Sequence, residues 1–254
     1  MTARIQSIER AAAILRLLSG RNRRLGVVQL SGELGLPKGT VHGILRTLTA
    51  VGFVEQDEET GKYQLGAALL HMGSSYLDGN ELRARALNWA DALAARSGES
   101  VRIGTLHEGR VLVVHHVFRP DDSRQALEVG ALQPAHATAM GKVLLAAYRY
   151  VAAELSDEDR ARYTPATITE RERLEAELRA VSERGWAEEI EELVVGESSL
   201  AAPIEDRRGV TVGAIGISGP VERMMDDGAS RIDLVSYVRE SARAVSRDLG
   251  AIPW

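Results

Sequence analysis

Apolar residues at Ala11, Ile14, Leu15 and Leu18 fall at i, i+3, i+4 and i+7, a spacing that predicts a helix over residues 5–19, with Gly20 placed to end it. Val27 to Gly35 predicts a short second helix, and Leu36-Pro37-Lys38-Gly39 interrupts it with turn residues. The helical spacing returns at Val41, Ile44, Leu45 and Leu48, so a third helix starts near Gly39. Its other face carries Lys38, Thr40, His42, Gly43, Arg46 and Thr47, and is therefore small, polar and basic. Two short β-forming runs, Phe53 to Gln56 and Lys62 to Leu65, then flank Asp57-Glu58-Glu59-Thr60-Gly61, a hairpin in which Gly61 supplies the positive φ. Three helices and a hairpin make a winged helix-turn-helix over residues 1–66.

Residues 67–96 read as helical, with an apolar row at Leu82, Ala86, Trp89/Ala90 and Leu93 and a break expected at Asp78-Gly79-Asn80. Such a helix would link two domains and form a dimer contact. From residue 97 to 254 the pattern becomes mixed. Val101 to Leu106 and Arg110 to Phe118 predict paired strands, Ala137 to Tyr148 and Thr169 to Arg184 helices, Ser199 to Ile204 and Thr211 to Ile217 strands, and Ile232 to Leu249 a closing helix. The class is α+β.

Charge adds a division that hydrophobicity hides. Residues 1–66 hold nine Lys/Arg against six Asp/Glu, whereas residues 67–254 hold 22 against 30, within a formal net charge of −5 over 254 residues. A small basic module facing a polyanion and a larger acidic module facing something else would produce this asymmetry. The absence of cysteine excludes disulfides, thiolate zinc sites, iron–sulfur clusters and cysteine nucleophiles. No apolar run approaches the ~20 residues of a membrane helix, and three charges in the first ten residues argue against a signal peptide, so a cytoplasmic location is expected.

Enzymatic motifs fail on inspection. His136 stands where a phosphate loop ending in Gly141-Lys142 needs glycine, and Val143 where it needs Ser or Thr. Pro220 replaces the second glycine of a nucleophile elbow around Ser218. Adjacent His115 and His116 point to opposite faces of a strand, so they cannot chelate together. Neither a metal nor a cofactor is expected.

Several separated motifs, in order, carry a resemblance. Leu34-Gly35-Leu36-Pro37-Lys38-Gly39-Thr40-Val41-His42, Phe53-Val54-Glu55-Gln56-Asp57, Tyr63-Gln64-Leu65-Gly66, His136-Ala137-Thr138-Ala139-Met140-Gly141-Lys142 and Ile215-Gly216-Ile217-Ser218-Gly219-Pro220 resemble the IclR family of bacterial transcription regulators over essentially the whole chain. The resemblance implies a winged helix-turn-helix, a linker helix and a GAF-like effector domain, assembled as a homodimer or dimer of dimers on double-stranded operator DNA and controlled by a small-molecule effector. Residues 114–124 and 242–250 are most similar to actinobacterial members that govern glycerol catabolism, which implies glycerol or glycerol 3-phosphate as effector. An aromatic or keto-acid operon, or an enzyme or sensor with an appended DNA module, is the alternative.

The DNA-facing set is then Lys38, Thr40, His42, Gly43, Arg46 and Thr47 on the third helix, with Lys62 and Tyr63 on the wing and Arg23 and Arg24 before it. The effector set implied by the family is Ala139, Met140, Glu189, Ser199, Gly216 and Ser218. Three of these depart from the common pattern: Ser199 stands in place of cysteine, Gly216 in place of serine and Glu189 in place of aspartate. The first makes the site more polar, and the second is expected to enlarge it.

Overall fold

A computed structural model describes residues 5–20, 24–121 and 124–251 and divides the chain into two compact units, Met1–Gly79 and Asn80–Trp254. In the first, α1 (Gln6–Leu18), α2 (Val27–Leu34) and α3 (Lys38–Ala50) turn their apolar faces onto one core containing Ile14, Leu18, Leu30, Val41, Leu45 and Val54. Gly35 ends α2 at φ 62°, a left-handed conformation that glycine adopts without steric cost, and Pro37 at φ −57° leads into α3. Strands β1 (Val54–Gln56) and β2 (Tyr63–Leu65) form the antiparallel wing, with Gly61 at φ 65° in its turn.

Tyr63 departs from its expected place on the DNA side. It is 6% exposed and belongs to the core, while its N–H donates to the Leu25 carbonyl at 2.9 Å. A three-residue wing strand has one face on the core, and the large tyrosine ring fills it.

Helix α4 (Ala67–Asp78) follows the wing and buries none of its residues. The chain then breaks at Gly79-Asn80, where Asn80 Oδ1 accepts from the Arg83 N–H at 2.8 Å and caps α5 (Glu81–Ser97). The row Leu82, Ala86, Ala90 and Leu93, expected as a linker and dimer contact, is buried inside the second unit, where α5 packs on the sheet and on the last helix. Periodicity announces an apolar face without saying whose surface covers it.

The second unit is built on β3 (Ser100–His107), β4 (Arg110–Val117), β5 (Leu132–Pro134), β6 (Ala187–Ile190), β7 (Glu197–Glu205) and β8 (Thr211–Pro220), an antiparallel sheet in the order β5-β4-β3-β8-β7-β6. Helix α6 (Ala139–Ala147) packs across β7 and β8 with α8 (Arg171–Arg184) behind it, and the short α7 (Arg149–Glu154) lies between them in the chain. After β8 come α9 (Val221–Met224), the two-residue strands β9 (Met225–Asp226) and β10 (Ala229–Ser230), and α10 (Ile232–Asp248), which packs against β7, β8 and α5. Sheet and helices on this plan match the α+β class expected for the effector domain. Among the described residues no helix is long and apolar enough to cross a membrane.

One contact seats α6. A Cβ on Gly141 would overlap the Ala135 backbone, which has no flexible end to move aside. Gly141→Ala should therefore destabilise the protein by about 1–3 kcal/mol, the usual cost of overpacking, read as a lower urea midpoint with unchanged slope. A midpoint equal to that of the wild type would show that the helix can shift freely.

Candidate DNA-reading face and effector pocket

Burial of Val41, Leu45 and Leu48 fixes the rotation of α3. Lys38, His42, Gly43, Arg46 and Thr47 are left exposed and Thr40 half-buried. Nothing lies within 4 Å of where a Gly43 Cβ would be, so the fold does not require glycine there; its lack of a side chain lets another backbone or a base edge come close. Thr47 Oγ1 donates to the Gly43 carbonyl at 3.2 Å. On the wing, Lys62 is exposed. Arg24 is engaged: it pairs with Asp57 at 2.9 Å and donates to Gln64 Oε1 at 2.9 Å. Asp57 also accepts from the Thr60 N–H and hydroxyl at 2.8 and 2.7 Å, which folds the acidic wing tip onto itself. Arg23 lies outside the described residues.

All six residues of the expected effector set line one cavity of about 120 Å³, where β7 and β8 meet the first turn of α6. The antiparallel register sets Ser199 directly opposite Ser218. Thr138 caps α6, its Oγ1 accepting from the Gly141 N–H at 3.2 Å. Ser199 Oγ accepts from the Ala139 N–H at 3.4 Å and donates to Glu189 Oε2 at 2.8 Å. Glu189 Oε1 in turn accepts from the Glu192 and Leu193 N–H groups at 2.6 and 3.2 Å. Burial pushes the Glu189 carboxyl above its ordinary range, against the lowering effect of these bonds.

Gly216 corrects an expectation. Its Cβ position is occupied at 2.6 Å by the Leu200 carbonyl, 3.0 Å by Ala201 Cβ and 3.2 Å by Met140, so glycine admits the close approach of strand and helix and leaves no spare room for ligand.

Among the lining residues that sequence reasoning missed, Arg102, Glu128 and Gln133 form one hydrogen-bonded group. Arg102 faces Gly216 across the β3–β8 pair, which puts its side chain on the α6 side of the sheet. Its Nε and Nη2 donate to Glu128 at 2.8 and 2.9 Å, and its Nη1 donates to Ser218 Oγ. Gln133 Nε2 donates to the same carboxylate at 2.8 Å. A single arginine between Val101 and Ile103 in an apolar strand is the signal that could have found this group.

Lys142, read first as the end of a failed phosphate loop, is 2% exposed and serves as an internal strut. Its Nζ donates to the Glu188 carbonyl at 3.0 Å and to the Glu192 carboxylate, tying α6 to the segment that carries Glu189. Burial pushes Glu192 upward while Lys142 opposes the shift. His136 is fully buried, with Nε2 3.0 Å from the Ala161 carbonyl. Among the described residues no three His, Asp or Glu side chains are gathered as a metal ion requires.

The raised Glu189 value has a testable sign. A carboxyl whose folded pKa exceeds the ordinary 4.5 gives stability that is full below that pH and lost as the pH rises through the folded value. Glu189→Gln removes this loss. Its melting temperature should fall less than that of the wild type between pH 4.5 and about 8 at constant ionic strength; parallel curves would detach Glu189 from the titration.

Comparison with known proteins agrees with this architecture. The model of the bacterial transcriptional regulator IclR C-terminal domain matches residues 74–247, and that of the IclR helix-turn-helix domain matches residues 7–58. The glycerol operon regulatory protein of Streptomyces coelicolor is 57% identical over 251 residues, 99% of each chain. Crystal structures of an IclR transcriptional regulator from Alicyclobacillus acidocaldarius (28% identity, TM-score 0.81, 98% of this chain and 100% of that one) and of a transcriptional regulator from Rhodococcus sp. RHA1 (29%, 0.80, 97% and 99%) share the fold. These relatives are regulators, which removes the reading as an enzyme with an appended DNA module. The chain belongs to the IclR family of transcriptional regulators, which bind operator DNA through the helix-turn-helix and a small-molecule effector through the C-terminal domain.

Proposed function

We propose that this regulator is a cytoplasmic repressor of a catabolic operon for glycerol, released or retuned by glycerol or glycerol 3-phosphate. The observation that carries the effector class is the lining of the cavity: two facing serine hydroxyls, a buried carboxyl that accepts hydrogen bonds, and the first turn of α6, in about 120 Å³. That volume is well below the ~300 Å³ at which drug-sized ligand sites begin, so it suits a small hydroxylated molecule better than an aromatic one. The name of the Streptomyces coelicolor relative supports the same operon.

On the DNA side, Lys38, Thr40, His42, Arg46 and Thr47 would enter the major groove, with Gly43 allowing close approach and Lys62 and Arg24 meeting phosphates. Helix α4, on which Leu70, Met72 and Tyr76 are 75%, 55% and 58% exposed, would be covered by a second copy, because a two-fold operator needs two reading heads at a fixed spacing. Dimers of dimers are an extension of the same contact logic. Effector binding would favour a different spacing, a coupling of ~1–3 kcal/mol between the two sites.

Arg46→Ala should weaken operator binding by ~1–3 kcal/mol in a gel-shift titration at fixed salt, and unchanged affinity would remove Arg46 from the readout. Leu70→Glu should halve the mass found by light scattering and abolish operator binding, whereas an intact dimer would place the subunit contact elsewhere. Titration calorimetry should detect glycerol or glycerol 3-phosphate; no heat with either, against a signal from another metabolite, would overturn the glycerol reading.

A further inference from the structure

Arg102 is the one cation among the described residues lining the effector cavity. Its side chain is 16% exposed, and a carboxylate of the same chain already holds it in bidentate fashion. Three of its five N–H groups are used, two by Glu128 and one by Ser218, so two N–H groups have no partner among the described residues. A pocket meant only for a neutral polyol has no need of a guanidinium, and burying one beside the ligand requires a counter-charge.

The two partners are not equally fixed. Glu128 is 31% exposed, twice the figure for Arg102, and sits on an irregular segment outside the sheet. Its backbone N–H donates to His116 Nδ1 at 3.2 Å, and His116 Nε2 lies 2.8 Å from Ser100 Oγ. Burial holds His116 below its usual range and hence neutral, so that Nδ1 remains an acceptor. The backbone anchor thus stays in place when the carboxylate turns toward water, with Gln133 as its remaining neighbour. Arg102, rooted in the middle of the sheet, stays where it is.

Resting on the reading of the cavity as a site for glycerol or its phosphate, we propose that Arg102 determines specificity there and that Glu128 is its placeholder. A ligand carrying a phosphate takes the guanidinium from Glu128. A neutral polyol leaves the pair intact. The exchange replaces one bidentate oxyanion by another, so the buried cation is never left uncompensated, and the displaced carboxylate regains its hydration at the cavity mouth. Only the charged ligand would then untie residues 124–131 from β3.

The test is calorimetry on the full-length protein with glycerol, glycerol 3-phosphate and inorganic phosphate. In the wild type, glycerol 3-phosphate should bind tighter than glycerol, and inorganic phosphate should compete with it. Arg102→Gln should lower the preference for the phosphorylated ligand by about tenfold or more and end competition by phosphate. Glu128→Gln, which weakens the placeholder while keeping its shape, should raise that preference severalfold; if Arg102→Gln does not fold, this variant alone decides. The same preference in the wild type and Glu128→Gln, with both ligands bound, overturns the role of Arg102 and leaves the polyol reading standing. Binding of neither ligand by the wild type overturns the polyol reading, and this inference with it.

Discussion

The seating of the first turn of α6 on the sheet is the constraint from which the sensing half takes its form. Gly141 lets the helix start against the Ala135 backbone, and Gly216 lets Met140 and β7 close over β8. Neither approach would survive a methyl group at ordinary van der Waals separation. Once the helix is held there, the Ala139 N–H points at Ser199, and Ser199 can pass a hydrogen bond to Glu189. The chain of donors and acceptors at the cavity is therefore a consequence of packing before it is a matter of polarity.

Charge enters this packed region in two paired forms that differ in what can leave. Lys142 and Glu192 are both almost wholly buried, so separating them would strand a charge in the interior. They behave as a fixed brace beneath residues 188–193. Arg102 and Glu128 are less enclosed, and the carboxylate has water within reach. The same pairing chemistry thus yields a strut in one place and an exchangeable contact in another, and accessibility separates the two.

Much of the reading half was legible in the chain because short helices with a 3.6-residue apolar period leave little freedom of rotation. Val41, Leu45 and Leu48 alone set which side of α3 faces outward. Tyr63 was not legible: in a strand of three residues, alternation does not say which face meets the core. The effector set came from the resemblance, and the structure gathers it because Ser199 and Ser218 fall into register. Arg102 and Glu128 are 26 positions apart, with the whole of β4 between them, and no local pattern anticipates their meeting. Strand β6 escaped notice because Glu188-Glu189 looks solvent-facing, although one of the two carboxyls is turned inward.

The cap that Asn80 places on α5 has a further consequence. The helix begins with its own backbone needs met, its buried row belongs to the unit of the sheet that follows, and each unit holds an apolar cluster of its own, one around Leu30 and Leu45 and the other around Leu144 and Leu178. A genetic crossover at that joint would leave both interiors whole. One operator-reading head could in this way be fitted to new chemical senses, with the grammar of the promoter kept and the metabolite it answers to replaced.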